Sequence, residues 1–207
     1  MKKNQLDKSK DLLLIFTRNP ELGKVKKRLA VGIGDEAALK IYKYLLQHTA
    51  EITRNLQVTK WVCYSEEIPE EDIWETENFS KKLQQGRDLG ERMEKAFSEA
   101  FKAGYHKLVI IGSDLYDLSE EDLKMAFFTL NDSDYVIGPA QDGGYYLLGM
   151  TKHTPKLFIN KEWSTEKVLD LTLQDLSHEK LKLLPVRNDI DTFEDMRSHS
   201  ELMKLIK

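Results

Sequence analysis

Leu108-Val109-Ile110-Ile111-Gly112-Ser113-Asp114-Leu115 is the stretch on which the fold turns. An unbroken apolar run with no polar alternation describes a strand covered on both faces. Gly112 lets a backbone or a ligand approach closely. Asp114 then stands just past the strand's carboxyl end, where open α/β sheets bind their ligands. Leu12-Leu13-Leu14-Ile15-Phe16 repeats the apolar pattern nearer the N-terminus, bounded by Asp11 and the polar loop Arg18-Asn19-Pro20.

Helical patterns fall between such strands. Asp35 opens one that runs to about Arg54, with Ala38, Ile41, Leu45 and Ile52 near helical spacing. A second covers Leu89 to Ala103 and stops at Gly104. Ser119, followed by Glu120, Glu121 and Asp122, starts a third, with its acids where the helix dipole favours them. Ser164 is read as the cap of a helix ending near Leu176, and Thr192 as the cap of a C-terminal helix. Further strands are expected at Val58 to Tyr64, Phe79 to Gln84, Tyr135 to Ile137, Tyr145 to Leu148 and Leu181 to Val186. The alternation predicts an α/β protein with a mainly parallel sheet and helices on both faces.

The chain's 207 residues suit one domain over 11–207, after a flexible N-terminal tail at 1–10. With 41% hydrophobic and 32% charged residues it reads as soluble and globular. A net charge of −4 disfavours bulk nucleic-acid or anionic-membrane binding. No apolar run approaches the length of a membrane span. Cys63 is the sole cysteine; that excludes internal disulfides and fits a reducing, cytoplasmic setting. Its apolar neighbours point to a buried thiol, not a nucleophile.

Six segments carry candidate chemistry. The loop after the first strand holds Arg18, Lys24, Lys26, Lys27 and Arg28 around Gly23. Fixed cations and free backbone N–H groups are what phosphates require, although the loop lacks the P-loop pattern and would equally serve as a solvated basic face. Asp114 can bind a hard divalent ion that also holds phosphate oxygens. Asp142-Gly143-Gly144-Tyr145-Tyr146 forms a bend between strands. Its glycines would clear space for a ligand, and Asp142 could be a general base, a sugar-hydroxyl ligand or a turn cap. Asp189 and Asp191 alternate along an extended segment and share a face. Gly86, Arg87, Gly90 and Arg92 sit at a helix start suited to an anion. Trp163-Ser164-Thr165 sets an aromatic side chain, able to contact a sugar or base, beside two hydroxyls. The five histidines are scattered and no Gly-x-Ser-x-Gly occurs, so zincin and serine-hydrolase chemistry find no support.

From Leu12 to about Met196, these segments in this order resemble a bacterial and archaeal family of GT-A-like glycosyltransferases. The family is often described as radical-SAM-associated, and some members as arsenosugar-biosynthesis glycosyltransferases. The resemblance is carried by Gly23-Lys24-Val25-Lys26 with Arg28-Leu29, Leu89-Gly90-Glu91-Arg92-Met93, Gly112-Ser113-Asp114, Gly138-Pro139-Ala140 with Asp142-Gly143-Gly144-Tyr145-Tyr146, Trp163-Ser164-Thr165 and Asp191-Thr192. It implies a Rossmann-like GT-A, nucleotide-diphospho-sugar transferase fold, related to the molybdenum-cofactor and 2-phospholactate guanylyltransferases. It further implies phosphate binding by Arg18, Lys24 and Arg28, and Mg2+ or Mn2+ held by Asp114 and Asp191; Lys26, Gly86 and Arg92 join the phosphate-binding candidates by their places in the basic loop and at the helix start. From their positions in the loops, Asp142 and Asp114 are the candidate catalytic residues, and Gly143, Gly144, Tyr145, Trp163, Ser164 and Thr165 the candidate substrate contacts. The sequence departs from the family at Leu115-Tyr116, where Cys-Pro is usual, and at Lys27, where Thr is usual.

The leading expectation is a metal-dependent glycosyltransferase moving a sugar from a nucleotide-sugar to a small-molecule acceptor. A nucleotidyltransferase acting on a nucleoside triphosphate and a phosphorylated acceptor is the alternative, and the more basic first loop leans its way. A non-catalytic nucleotide-binding module is a third, opposed by the intact Asp114, Asp142 and Asp191.

Overall fold

The computed structural model describes residues 10–206. The tail expected at 1–10 lies outside them, apart from its last residue. Seven strands form one sheet in the order β3-β2-β1-β4-β6-β5-β7. They are β1 (Asp11–Thr17), β2 (Thr59–Tyr64), β3 (Ser80–Leu83), β4 (Lys107–Gly112), β5 (Tyr135–Pro139), β6 (Tyr145–Met150) and β7 (Leu181–Leu183). Only β6 runs against its neighbours; every other pairing is parallel.

Alternate residues of the central strands face opposite layers, which is why their sequences are apolar throughout. Leu13, Ile15, Val109 and Ile111 pack against Tyr42 and Leu46 of α2 (Asp35–Arg54) and against Leu123 and Phe127 of α4 (Glu120–Thr129). Leu12, Leu14, Leu108 and Ile110 pack on the other face, against Met93 and Phe97 of α3 (Leu89–Lys102). Leu12 to Ile15 are fully buried, each side chain contributing about 1.5–3 kcal/mol. A third cluster joins Leu29 of α1 (Lys27–Ile33) and Ile41 and Leu45 of α2 to Ile190, Met196 and Leu202. It brings the C-terminal segment back to the first loop.

Register decides where the loops meet. Phe16 lies opposite both Cys63 and Gly112, so β1, β2 and β4 end level. β5 runs parallel to them through the reversal of β6, and a further parallel bridge pairs Ala140 with Arg187. The segments 17–26, 113–119, 140–144 and 187–191 therefore emerge at one edge.

Some local readings change. The sequence reading ran from the first loop to Asp35 without a helix, whereas α1 occupies Lys27–Ile33. It begins at Lys26 in a left-handed conformation (φ 45°) with no side-chain cap, so it lacks the usual start signal. Ser164 is not a helix cap. Its φ is 66°, and α5 starts at Val168 after Lys167. The backbone here is drawn against the glycine bend, where Leu169 N donates to Gly143 O at 2.9 Å. A 3₁₀ turn at Pro155–Phe158 adds an element not foreseen. The C-terminal helix begins at Thr192 as expected, with a capping box to Asp195, but breaks into α6 (Phe193–Arg197) and α7 (Ser200–Leu205). Among the described residues no helix is long and apolar enough to cross a membrane.

Candidate functional site

At that edge the sheet carries a cleft of about 1140 Å³. Its walls include Arg18, Lys24, Lys26, Arg28, Arg92, Asp114, Asp142, Gly144, Tyr145, Trp163, Ser164, Thr165 and Asp191. Residues from all six sequence segments thus meet in one place.

One wall is charged. Lys26 is almost completely buried, and its ammonium lies 2.8 Å from Asp114 Oδ2 and 3.1 Å from Asp191 Oδ1. Arg28 pairs with the other oxygen of Asp191. Burial works to lower the Lys26 pKa, but Asp114 and Asp191 together outweigh it and hold the ammonium above its ordinary range. Burial likewise opposes the charge on Asp114, and Lys26, with Arg18 helping, keeps its carboxyl below the usual value. Asp189 was noted for its spacing to Asp191 but given no role. Its carboxyl is pushed up to about 7, first by burial and then by the negative charges of Asp114, Asp191 and Asp142. Oxygens of Asp142, Asp189 and Asp191 all lie within 4.8 Å of one another. Three hard oxygen donors this close together match Mg2+ or Mn2+ in chemistry, not zinc or copper.

The loops holding these acids are tied down from behind. Arg187 N donates to Pro139 O and Gln141 N to Arg187 O, both at 3.0 Å, joining the segments of Asp142 and Asp189. The Arg187 guanidinium grips both oxygens of Asp122, at 2.8 and 2.9 Å. Across the sheet, Ser113 Oγ donates to Thr17 Oγ1 at 3.0 Å. Tyr42 closes the first loop by donating to Arg18 O and accepting from Arg18 N.

The second wall is aromatic and apolar. Tyr145, Trp163 and Phe16 pack at the edge of the α3-side core, above Met93. The Tyr145 hydroxyl oxygen is buried without a hydrogen-bond partner; burial raises its pKa. Trp163 lies so close to α3 that a Cβ on Gly90 would stand 2.2 Å from its Nε1. Gly90 is thus needed to seat the tryptophan, a pairing of two segments that no local pattern announces.

Other predicted residues meet different partners. Asp114 and Asp191 do flank a single cation, but that cation is Lys26. The carboxylates grouped for a metal are Asp142, Asp189 and Asp191, without Asp114. Lys24, expected to await phosphate, pairs with Glu21 at 2.7 Å and Glu66 at 3.6 Å, because both carboxylates come within its reach. Gly86 and Gly143 do not line the cleft. A Cβ at Gly86 would lie 2.7 Å from Arg92 N, and one at Gly143 would lie 2.2 Å from Glu166 O, so both glycines serve close backbone packing. The N-terminus of α3 is capped by Asp88, whose carboxylate accepts from Glu91 N at 2.8 Å. Asp142 Oδ1 accepts from Gly144 N at 2.9 Å, which makes it a turn cap as well as a member of the acidic group. Cys63 is buried, and burial pushes its thiol up to about 12.

Residues 48–165 match the model of a family described as "Uncharacterized protein conserved in bacteria (DUF2064)". The chain belongs to this family. The DUF2064 match contains Asp114, Asp142 and Trp163, while the first loop and Asp189-Ile190-Asp191 lie outside it. A crystal structure from Desulfovibrio desulfuricans G20, provisionally named a nucleotide-diphospho-sugar transferase, is 30% identical. It superposes with a TM-score of 0.84 over 96% of this chain and 97% of its own. A 4-diphosphocytidyl-2C-methyl-D-erythritol synthase shares the fold at 14% identity and a TM-score of 0.61, over 95% of this chain and 99% of its own. A CMP:2-keto-3-deoxy-manno-octonic acid synthetase complexed with CTP does so at 11% identity and 0.58, with the same coverage. No curated protein matches this DUF2064 chain. The mostly parallel, helix-flanked sheet is the nucleotide-diphospho-sugar transferase fold, as the sequence resemblance implied.

Proposed function

We propose that this DUF2064 protein is a glycosyltransferase that takes a sugar from a nucleotide-diphospho-sugar and requires a divalent ion to hold the diphosphate. That it is an enzyme of the transferase class rests on its kinship and fold. The observation that carries the finer reading is the convergence of Asp142, Asp189 and Asp191 in a cleft also lined by Arg18 and Arg92. These three carboxylates would hold Mg2+ or Mn2+, and the bound ion would neutralise the leaving diphosphate.

The chain's own groups divide the remaining work. Arg18 is exposed at the cleft, and Arg92 donates only to neutral acceptors, Gly86 O at 3.1 Å and Gln84 Oε1 at 3.3 Å. Neither forms an ion pair with a carboxylate among the described residues, and together they suit the modest charge of a diphosphate. Trp163 and the unpartnered Tyr145 hydroxyl offer a ring surface and a hydrogen bond to a sugar or acceptor. The buried, unpaired Cys63 is the support for placing this work in the cytoplasm, on a small-molecule acceptor.

Thermal shift with nucleotide-sugars and nucleoside triphosphates, each with and without Mn2+, tests the reading. Metal-dependent stabilisation by a nucleotide-sugar is expected; none by any nucleotide would overturn it. Nucleotidyl transfer is the second reading. Lys24, Lys26 and Arg28, if released from their carboxylates, would add enough positive charge for a triphosphate. Pyrophosphate release identifies that chemistry.

A further inference from the structure

Lys26 poses a problem for any cation entering this cleft. Its ammonium touches Asp191, one of the three carboxylates grouped for a metal, as well as Asp114 beside them. Arg28 takes the other oxygen of Asp191. Two positive charges therefore already occupy one of the three proposed ligands. The arrangement is built in. Lys26 is the non-glycine residue in a left-handed conformation that starts α1, and its side chain is 4% exposed, so the ammonium is directed inward by a strained backbone. Leu29, one turn on, is fully buried against Ile190 in the same apolar cluster, which clamps the Lys26 and Asp191 segments together.

We propose that Lys26 is the site's internal counter-ion. In the nucleotide-free enzyme its ammonium neutralises Asp114 and Asp191 and repels a divalent ion from the neighbouring oxygens. When a diphosphate enters, the ammonium transfers to the phosphate oxygens and leaves Asp191 to the metal. The ion and the diphosphate then each improve the other's binding, by the reciprocity that governs any pair of coupled sites. Ion alone binds weakly, because its approach leaves the ammonium facing like charge; diphosphate alone finds Lys26 engaged. This inference rests on the metal-dependent reading above and adds an order to it: at low ion concentration the complete ligand set forms only with substrate present.

The test is Mn2+ binding without nucleotide, followed by electron paramagnetic resonance, in the wild-type protein, Lys26→Met and Lys26→Arg. Lys26→Met should bind Mn2+ at least tenfold more tightly than wild type, and Lys26→Arg no more tightly. Inorganic pyrophosphate should tighten Mn2+ binding to wild type beyond what Mn2+–pyrophosphate association in solution accounts for, and should do so by a smaller factor for Lys26→Met. Reductive methylation of the wild-type protein supplies an arm that needs no variant to fold. Modification of Lys26, read by mass spectrometry, should rise when saturating Mn2+ draws the ammonium off Asp191. Equal Mn2+ affinity in wild type and Lys26→Met, or unchanged Lys26 labelling on saturable Mn2+ binding, overturns the counter-ion role and leaves the metal reading standing. No saturable Mn2+ binding by any of the proteins, with or without pyrophosphate, overturns both.

Discussion

The charged wall of the cleft is drawn from four loops, the aromatic wall from packing against one helix. On the charged side Asp114, Asp142, Asp189 and Asp191 converge, and the strain shows in a carboxyl raised to about 7 and a left-handed Lys26. On the aromatic side Trp163 settles against Gly90 and Tyr145 covers the α3-side core. Removing the Asp191 or Asp142 carboxylate should cost activity, and removing the Asp189 charge should relieve the fold. Disturbing the second should cost the fold directly. The contrast is the usual one between a site that stores unfavourable electrostatics for a ligand and a surface that is part of the core.

The largest expected effect is at Asp191. Asp191→Asn removes a proposed metal ligand and one anchor of Lys26, and kcat with the activating ion should fall by about 10²–10³-fold while the protein stays folded by circular dichroism. Asp142→Asn should come next. Asparagine can keep the turn bond to Gly144 N, so the fold should hold while ion-dependent turnover drops roughly 10–100-fold. A rate equal to wild type would reduce Asp142 to architecture.

Gly90→Ala tests the other wall. The added methyl would meet Trp163 Nε1 and, at 2.8 Å, Phe158 O. Overpacking of this kind costs about 1–3 kcal/mol, seen as a Tm lower by roughly 2–10 °C and a shift in tryptophan emission. An unchanged Tm would mean that the aromatic wall is not packed as described. The smallest effect is at Asp189, and its sign is opposite. The carboxyl's pKa rises from 3.8 unfolded to about 7 folded. The folded protein therefore holds that proton more tightly, and stability is lost as pH rises from about 4 to about 7. Asp189→Asn should raise the Tm of the metal-free protein by roughly 1–4 °C at pH 8, with no gain near pH 4. A lower Tm at pH 8 would break the claim that the charged wall costs stability.

The sheet was legible because its central strands are buried on both faces, so Leu12 to Phe16 and Leu108 to Ile111 carry unbroken apolar runs. The long helix at Asp35–Arg54 was legible from its spacing, start and approximate end alike. α1 was not legible, because Lys26 is no capping residue and its left-handed backbone gives no local start signal. Ser164 misled for the converse reason: serine before a helical pattern is a strong local signal, and the glycine bend overrode it. In the site, segments were easier to find than partners. Asp189-Ile190-Asp191 announced two carboxylates on one face, yet only the third core cluster, through Ile190 and Leu29, brings them to Lys26. The same limit hid the Gly90–Trp163 contact, which joins residues 73 positions apart.

A crystal structure with Mn2+ and a nucleoside diphosphate addresses the central claim most directly. The account predicts an anomalous peak bound by Asp142, Asp189 and Asp191, with the diphosphate between that ion and Arg18, and the Lys26 ammonium moved from Asp191 to a phosphate oxygen. A nucleotide held in the cleft with no ion at those carboxylates, or an ion bound elsewhere while Lys26 stays on Asp191, would contradict it.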